Sequence, residues 1–429
     1  MRTLSRRRFA TLLALGGSAA LLPDPVLGRD GDDSPREPLP PAPPSPDESF
    51  WREVRGRFLL PQGHTHFNAA NLCPSPRAVI EALERHTRRL DTDPSPATRA
   101  LLGEAREETR RLLAEFLRVR AEEIVITRNT SEANCMVASG LALGTDEEVV
   151  VFSDNHPSNL DAWHQRARRF AFTVRIVEQV HPHPGSEAYL EAFARTLTSR
   201  TRVLAFTHVT NSVGDVLPAA ELCRLARERG VLTLVDGAQA LGVLEVDLAA
   251  MRPDFYTASA HKWLCGPKET GVLYVNREVH DRIWPTVVSL YPGAVGISRT
   301  LEAMGQRDEP ALAALGEAVR FQSAIGPRVI ERRARELARA LMEGLRELEG
   351  VTVWTHADPA RSAAVVTFGA AGLDPRRLAA ALHERDRIVG QVRGGTDRPG
   401  VRLSPHLYNL MEEVERTVAA VRRYRSTGV

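Results

Sequence analysis

Val235-Asp236-Gly237-Ala238-Gln239 and, further along, Ser259-Ala260-His261-Lys262-Trp263 are the segments on which the fold turns. Leu232, Leu234 and Val235 are apolar, so Asp236 falls at the end of a strand with its carboxylate buried. Burying an unpaired carboxylate is expensive, and a partner is required: a structural arginine is one candidate, a protonated ring nitrogen another. A lone lysine is ordinarily a solvated surface charge. Tyr256, Ala258, Ala260, Trp263 and Leu264 make the surroundings of Lys262 mostly apolar. A desolvated amine has a lowered pKa and becomes a nucleophile. A nucleophilic amine near a buried carboxylate, at the end of an apolar strand, is what a pyridoxal phosphate (PLP) site needs. The lysine holds the aldehyde as a Schiff base and the aspartate keeps the pyridine nitrogen protonated.

Outward from this pair, strand-like and helical runs alternate. Strands are expected over 123–127, 148–153, 173–177, 202–208, 231–236 and 271–275, and helices over 98–117, 131–141, 187–197 and 218–229. This pattern predicts an α/β fold, a mostly parallel sheet covered by helices on both faces. Ligands in such folds sit beyond the carboxyl ends of the strands. His156 and Asp236 follow or end a strand and Asn211 comes just after one, so the three should converge there. A smaller α+β part begins near Pro310, with helices at 311–325, 327–348, 374–385 and 409–424 and strands at 351–354, 363–368, 388–392 and 401–403. The expected division is an N-terminal arm over 47–66, a large domain over 67–309 and a small domain over 310–429.

The formal net charge is +2, and no basic block persists beyond the N-terminus, so nucleic acid is not expected as a partner. The arginine-rich stretches 85–89 and 106–111 read as solvated helix faces. Ser5-Arg6-Arg7-Arg8-Phe9-Ala10 precedes a modest apolar run over 11–22 and resembles a twin-arginine export signal occupying 1–28. The run is too short and glycine-broken to span a bilayer, so no stable membrane anchor is expected. Residues 29–46 read as a proline-rich linker. The expected location is the periplasm or the medium, with the twin-arginine translocase as a partner during export. That route moves folded proteins, so a cofactor acquired in the cytoplasm travels with its enzyme. The four cysteines, Cys73, Cys135, Cys223 and Cys265, have no metal-ligand spacing. Each lies in or near an apolar stretch, and buried free thiols are expected.

Three further segments carry polar groups where chemistry needs them. Thr127-Arg128-Asn129-Thr130-Ser131-Glu132-Ala133 joins a strand to a helix, whose N-terminal amides and hydroxyls suit a phosphate; Thr130 or Ser131 as a simple helix cap is the alternative. His156, in Asp154-Asn155-His156-Pro157-Ser158-Asn159, offers a ring that can stack on a planar cofactor and help proton transfer, or is a turn residue without a role. Arg402 lies between Val401 and Leu403, and a guanidinium there needs an acidic partner: a substrate carboxylate or an internal salt bridge.

From about residue 65 to 418 the chain resembles the class V aminotransferase family of fold-type I PLP enzymes, which includes isopenicillin N epimerase-like proteins, cysteine desulfurases and kynureninases. The resemblance is carried by Thr130-Ser131-Glu132-Ala133, His156-Pro157-Ser158-Asn159, Thr207-His208-Val209-Thr210-Asn211, the two segments quoted first, and Arg402-Leu403-Ser404-Pro405-His406-Leu407-Tyr408-Asn409. It implies that Lys262 bonds the cofactor and then moves protons at the substrate α-carbon. Asp236 would hold the pyridine nitrogen, Gln239 would face the phenolic oxygen, and His156 would stack on the ring. Thr130, Ser131, Ser259 and His261 would hold the phosphate. Arg402, assisted by Asn211, would bind the substrate carboxylate, and loops around 68–71, 289–300 and Arg393 would form the side-chain pocket. A homodimer with its site at the subunit interface is implied, and Gln306 stands where the family usually has a threonine that reaches the partner's phosphate. Cysteine desulfurases carry a nucleophilic cysteine on the loop before the arginine; Val392-Arg393-Gly394-Gly395-Thr396-Asp397 has none, which disfavours persulfide chemistry.

The function expected from these residues is epimerisation or transamination of an amino acid, or of an amino-acid residue in a peptide-like metabolite. A β- or γ-eliminating C–S lyase and a catalytically silent binding protein of the same fold are the alternatives.

Overall fold

The computed structural model describes residues 42–394 and 397–429; the twin-arginine stretch, the linker up to residue 41, Gly395 and Thr396 lie outside the described residues. The main sheet has seven strands: β1 (Ile124–Thr127), β2 (Glu148–Phe152), β3 (Thr173–Val177), β4 (Thr201–Thr207), β5 (Leu232–Asp236), β6 (Phe255–Ser259) and β7 (Gly271–Val275). Their order is β1-β7-β6-β5-β4-β2-β3. Strand β7 runs antiparallel to both neighbours, and every other pair is parallel. Strands β1, β6, β5, β4 and β2 therefore point the same way, and their carboxyl ends share one rim.

Side chains alternate across this sheet with the two-residue strand period. Ile124, Ile126, Val150, Phe152, Leu204, Phe206 and Tyr256 join one buried cluster, while Val125, Val149, Val151, Val203, Ala205 and Phe255 join another. The first is covered by helices that include Pro96–Leu117, Ala219–Glu228 and Glu309–Ile325, through Leu113, Leu222 and Leu315. The second is covered by Thr130–Gly140 and Pro157–Phe170, through Met136, Val137 and Trp163. Burial on both faces is why these strands read as continuous apolar runs. Strand β6 is absent from the expected set: Thr257 and Ser259 dilute its apolar character, and both hydroxyls prove to be used inside the site. The helix Pro157–Phe170 is likewise absent from the expected set.

The smaller sheet is antiparallel, in the order Gln391–Arg393, Gly400–Leu403, Val366–Ala370, Val351–Val353. Helices Pro327–Arg346, Pro375–Asp386 and Met411–Thr427 accompany it. The strand expected over 388–392 divides at Gly390. Ile388–Val389 pairs in parallel with Thr65–His66, whereas Gln391–Arg393 pairs with Gly400–Leu403. A Cβ on Gly390 would lie 2.6 Å from Leu403 Cδ2, so the chain can cross there only without a side chain. The strand expected over 363–368 starts later, because the Ala363 N–H donates to Gly214 O at 2.9 Å instead of to a neighbouring strand.

The stretch 106–111 corrects the expectation of a solvated face. Arg110 is fully buried and donates to Glu302 at 2.5 and 2.9 Å and to Ile124 O at 2.7 Å. Burial works against its charge, and the Glu302 and Glu107 carboxylates outweigh that and push its pKa up. Arg85, Arg88 and Arg89 are exposed, as expected. Among the described residues no helix is long and apolar enough to cross a membrane.

Candidate active site

The shared rim carries the polar residues. Asp236 ends β5, Lys262 follows β6, Thr130 follows β1, His156 follows β2 and Asn211 follows β4. Parallel strand direction alone brings these distant segments together.

Next to β1, the helix Thr130–Gly140 is capped by Asn129, whose Oδ1 accepts from the Glu132 N–H at 2.9 Å. Neither Thr130 nor Ser131 is the cap. Thr130 Oγ1 lies 2.7 Å from Ser259 Oγ, and the Thr130 N–H donates to that same oxygen at 2.9 Å. Ser131 is exposed, and among the described residues its hydroxyl has no hydrogen bond. Strand register sets Thr127, Gly271 and Ser259 in one row. A Cβ on Gly271 would lie 2.8 Å from Asn129 Cα, so glycine lets the helix start close against Ser259. Two hydroxyls and a helix N-terminus make an anion cradle.

Asp236 is 1 % exposed and has no arginine or lysine partner among the described residues. Its Oδ2 accepts from Asn134 Nδ2 at 2.9 Å and its Oδ1 from the Ala238 N–H at 3.1 Å. Asn134 is fully buried and accepts from Thr257 Oγ1 at 2.7 Å, which fixes its amide with the NH2 toward Asp236. Asn134 is a site residue absent from the sequence reading. Its signal was available: it lies one helical turn after Thr130, a polar residue on a buried face. The glycine of the Asp236 segment also has a steric reason, since a Cβ on Gly237 would lie 2.1 Å from the Tyr256 ring. Gln239 is buried, its Oε1 accepting from Trp263 Nε1 at 2.8 Å and its Nε2 donating to Ala70 O at 2.9 Å. One Nε2 hydrogen remains for another acceptor.

Among the described residues the Lys262 amine has no hydrogen bond and no ion pair. Its pKa falls to about 8: burial lowers it, the Asp236 carboxylate opposes that, and Arg402 adds to the fall. Below that pH the amine is protonated and cannot attack an aldehyde; above it the lone pair is free. The rate of cofactor attachment to the apoprotein is therefore expected to rise about tenfold per pH unit up to about pH 8, then level. Stopped-flow absorbance after mixing apoprotein with PLP measures this directly, and a pH-independent rate would contradict the assignment. His261 is held neutral, its pKa pushed down to about 4 by burial, Lys262 and Lys268. His156 is lowered too, by burial and then by Lys262. It caps the helix Pro157–Phe170, accepting from the Ser158 N–H at its Nδ1 (3.2 Å), so the ring proton sits on Nε2.

Arg402 is 8 % exposed and has no carboxylate partner among the described residues. One Nη donates to Asn211 O at 2.8 Å, and its buried Nε is unbonded. Burial, then Arg393, lowers its pKa to about 10, leaving it charged at neutral pH. Among the described residues there is no internal salt bridge that would explain Arg402. Arg393 is half-buried with an unbonded Nε, and its Nη2 lies 3.9 Å from Asp397. Gln306 is exposed, its Nε2 donating to Arg307 O at 3.3 Å, and it makes no hydrogen bond to Thr130, Ser131 or Ser259 of its own chain. Cys135 corrects another expectation: it is exposed, while Cys73, Cys223 and Cys265 are buried.

A buried carboxylate without a cation, a free amine, a hydroxyl-lined helix N-terminus and a spare amide N–H fit the nitrogen, aldehyde, phosphate and phenolic oxygen of PLP. Known proteins agree. The family model described as aminotransferase class-V matches residues 67–417. Isopenicillin N epimerase of Streptomyces clavuligerus is 33 % identical over 393 residues, covering 86 % of this chain and 97 % of that one. A probable cysteine desulfurase of Xylella fastidiosa is 33 % identical over 407 residues, covering 87 % of this chain and 95 % of that one. Among solved structures, C-DES with glycine covalently linked to its PLP cofactor superimposes with a TM-score of 0.80 at 25 % identity, covering 88 % of this chain and 99 % of that one. C-DES is described as a cystine C-S lyase. The fold is that of the fold-type I PLP transferases and the cofactor is pyridoxal 5'-phosphate. By its motifs, its sheet and these relatives, the chain belongs to the class V aminotransferase family.

Proposed function

We propose that this protein is an exported, homodimeric enzyme that epimerises or transaminates an amino acid, or an amino-acid residue of a peptide-like metabolite. The observation that carries this reading is Arg402, a buried charged guanidinium with no carboxylate partner among the described residues. A substrate carboxylate completes it, and Asn211, already tied to Arg402 through its carbonyl, lies beside that group.

Bound at the rim, PLP supplies an electron sink that makes the proton on the substrate α-carbon removable. Thr130, Ser131, Ser259 and His261 would hold the phosphate, and Asp236 would hold the ring nitrogen. Gln239 would give its spare N–H to the phenolic oxygen, and His156 would stack against the ring. Lys262 takes the α-proton and returns a proton, and the position of return decides between epimer and keto product. Arg393 faces the substrate side chain. No cysteine stands on the stretch 392–397 to accept sulfur, which supports proton chemistry over desulfuration.

The homodimer rests on an exposed apolar run, with Trp284 68 %, Val288 85 % and Leu290 68 % exposed. Gly305 bonds Leu290 O at 3.1 Å, so Gln306 lies beside that run, where a second copy would meet it. Export rests on Arg6, Arg7 and Arg8 before the apolar run 11–22.

Arg402→Gln should raise KM for the amino substrate by the weight of a buried charge pair, about 2–5 kcal/mol, with PLP retained. An unchanged KM would show that the carboxylate binds elsewhere. The function itself is tested by comparing metabolites from wild-type and deletion strains. One accumulated precursor of unchanged mass and opposite chirality marks an epimerase, and an amine-to-keto difference marks a transaminase. A β- or γ-eliminating lyase is the second reading, favoured by the likeness to C-DES. Pyruvate or sulfide release from simple amino acids would replace the first reading with it.

A further inference from the structure

Just past the loop 68–71 lies Cys73, just past Lys262 lies Cys265, and just past Arg402 lies His406. One ligand atom from each of these three residues falls within 4.8 Å of the others. All three residues are at most 1 % exposed. Tyr408 Oη, also fully buried, lies 3.6 Å from Cys73 Sγ.

The hydrogen bonds fix the state of the imidazole. His406 Nε2 lies 2.6 Å from Trp263 O, and a carbonyl only accepts, so Nε2 carries the proton. The fully buried ring has no carboxylate bonded to it among the described residues, so it is neutral and Nδ1 holds a bare lone pair. Among the described residues, that buried Nδ1 has no hydrogen-bond partner. A buried acceptor left empty costs about 1–3 kcal/mol. The thiols make long contacts, Cys73 Sγ to Ala69 O at 3.9 Å and Cys265 Sγ to Trp263 O at 3.6 Å. Metal-bound histidines donate their second ring nitrogen to a backbone carbonyl in this same way.

We propose that Cys73, Cys265 and His406 bind one zinc-class divalent ion, with the Tyr408 hydroxyl as the fourth group in reach. Two sulfurs and an imidazole nitrogen are the donor set that selects such ions. On binding, two S–H bonds break, two metal–sulfur bonds form and two protons leave to solvent. No electrons are exchanged, and the pocket stays neutral. Tetrahedral bond lengths place ligand atoms about 3.3–3.8 Å apart, so the donors draw inward by about 1 Å or less. The ion would pin together the three segments that carry the 68–71 loop, Lys262 and Arg402. It is a positioning site, because none of its ligands faces the substrate in the mechanism above.

The test is the metal content of the full-length protein, purified after growth with added zinc and dialysed. About one zinc per chain is expected in the wild type, and at least a tenfold loss in Cys73→Ser and His406→Gln. Because a core variant can fail to fold, the wild-type apoprotein titrated with cobalt(II) alone gives an independent reading. A thiolate-to-cobalt charge-transfer band saturating at one equivalent is expected. Wild type without zinc and without that band overturns the proposal. So does zinc retained undiminished by folded Cys73→Ser, or a chain two hydrogens lighter with Cys73 linked to Cys265.

Discussion

Replacing Lys262 by alanine is expected to lower turnover by at least about 10³-fold and to abolish the covalently held cofactor absorbance. In the proposed mechanism the residue supplies both the nucleophile that holds the cofactor and the base that moves the substrate proton, and a positioned acid–base group alone contributes about 10²–10⁴-fold. No other residue can take its place: the sequence contains only two lysines, and the other, Lys268, is exposed and reaches Ser75 Oγ at 3.4 Å. Among the described residues the amine makes no hydrogen bond, so its loss should leave the fold intact. Far-ultraviolet circular dichroism and a melting curve check that part, and kcat with PLP in excess checks the rest. Turnover within tenfold of wild type would show that Lys262 is not the base.

Asp236→Asn is expected to lower kcat by about 10²–10³-fold, the weight of one preorganised electrostatic group in a buried site. The substitution keeps the volume and removes the charge. Among the described residues the aspartate has Asn134 and the Ala238 N–H as partners but no ion-paired cation. In the proposed mechanism its negative charge serves the ring nitrogen. The phosphate cradle at Thr130 and Ser259 is untouched, so bound PLP should remain measurable while turnover falls. A variant within threefold of wild-type kcat at full cofactor occupancy would mean that the charge of Asp236 plays no part in the chemistry.

The alternation of strands and helices was legible because burial on both faces makes β1, β2 and β5 largely apolar runs. Strand β6, which leads directly to Lys262, was not, since Thr257 and Ser259 turn their hydroxyls to Asn134 and Thr130 inside the site. The segments carrying Lys262, Asp236, His156 and Arg402 were visible as polar residues set beside apolar strands. What periodicity could not give is partnership across the sheet. Asn134 meets Asp236, Trp263 meets Gln239, and Cys73, Cys265 and His406 meet one another only because the fold brings far-apart segments to one place. Arg110 was misread for the same reason: its partner Glu302 is distant in sequence. Gly390, which divides one expected strand between two sheets, shows the local limit, where a single missing side chain redirects the backbone.

The central claim is that PLP is bonded to Lys262, and borohydride reduction of the purified protein followed by peptide mass mapping tests it most directly. The account predicts one cofactor mass fixed irreversibly to the peptide containing Lys262, with Lys268 unmodified. Modification of Lys268 in its place, or no fixed cofactor in protein incubated with excess PLP, would contradict it.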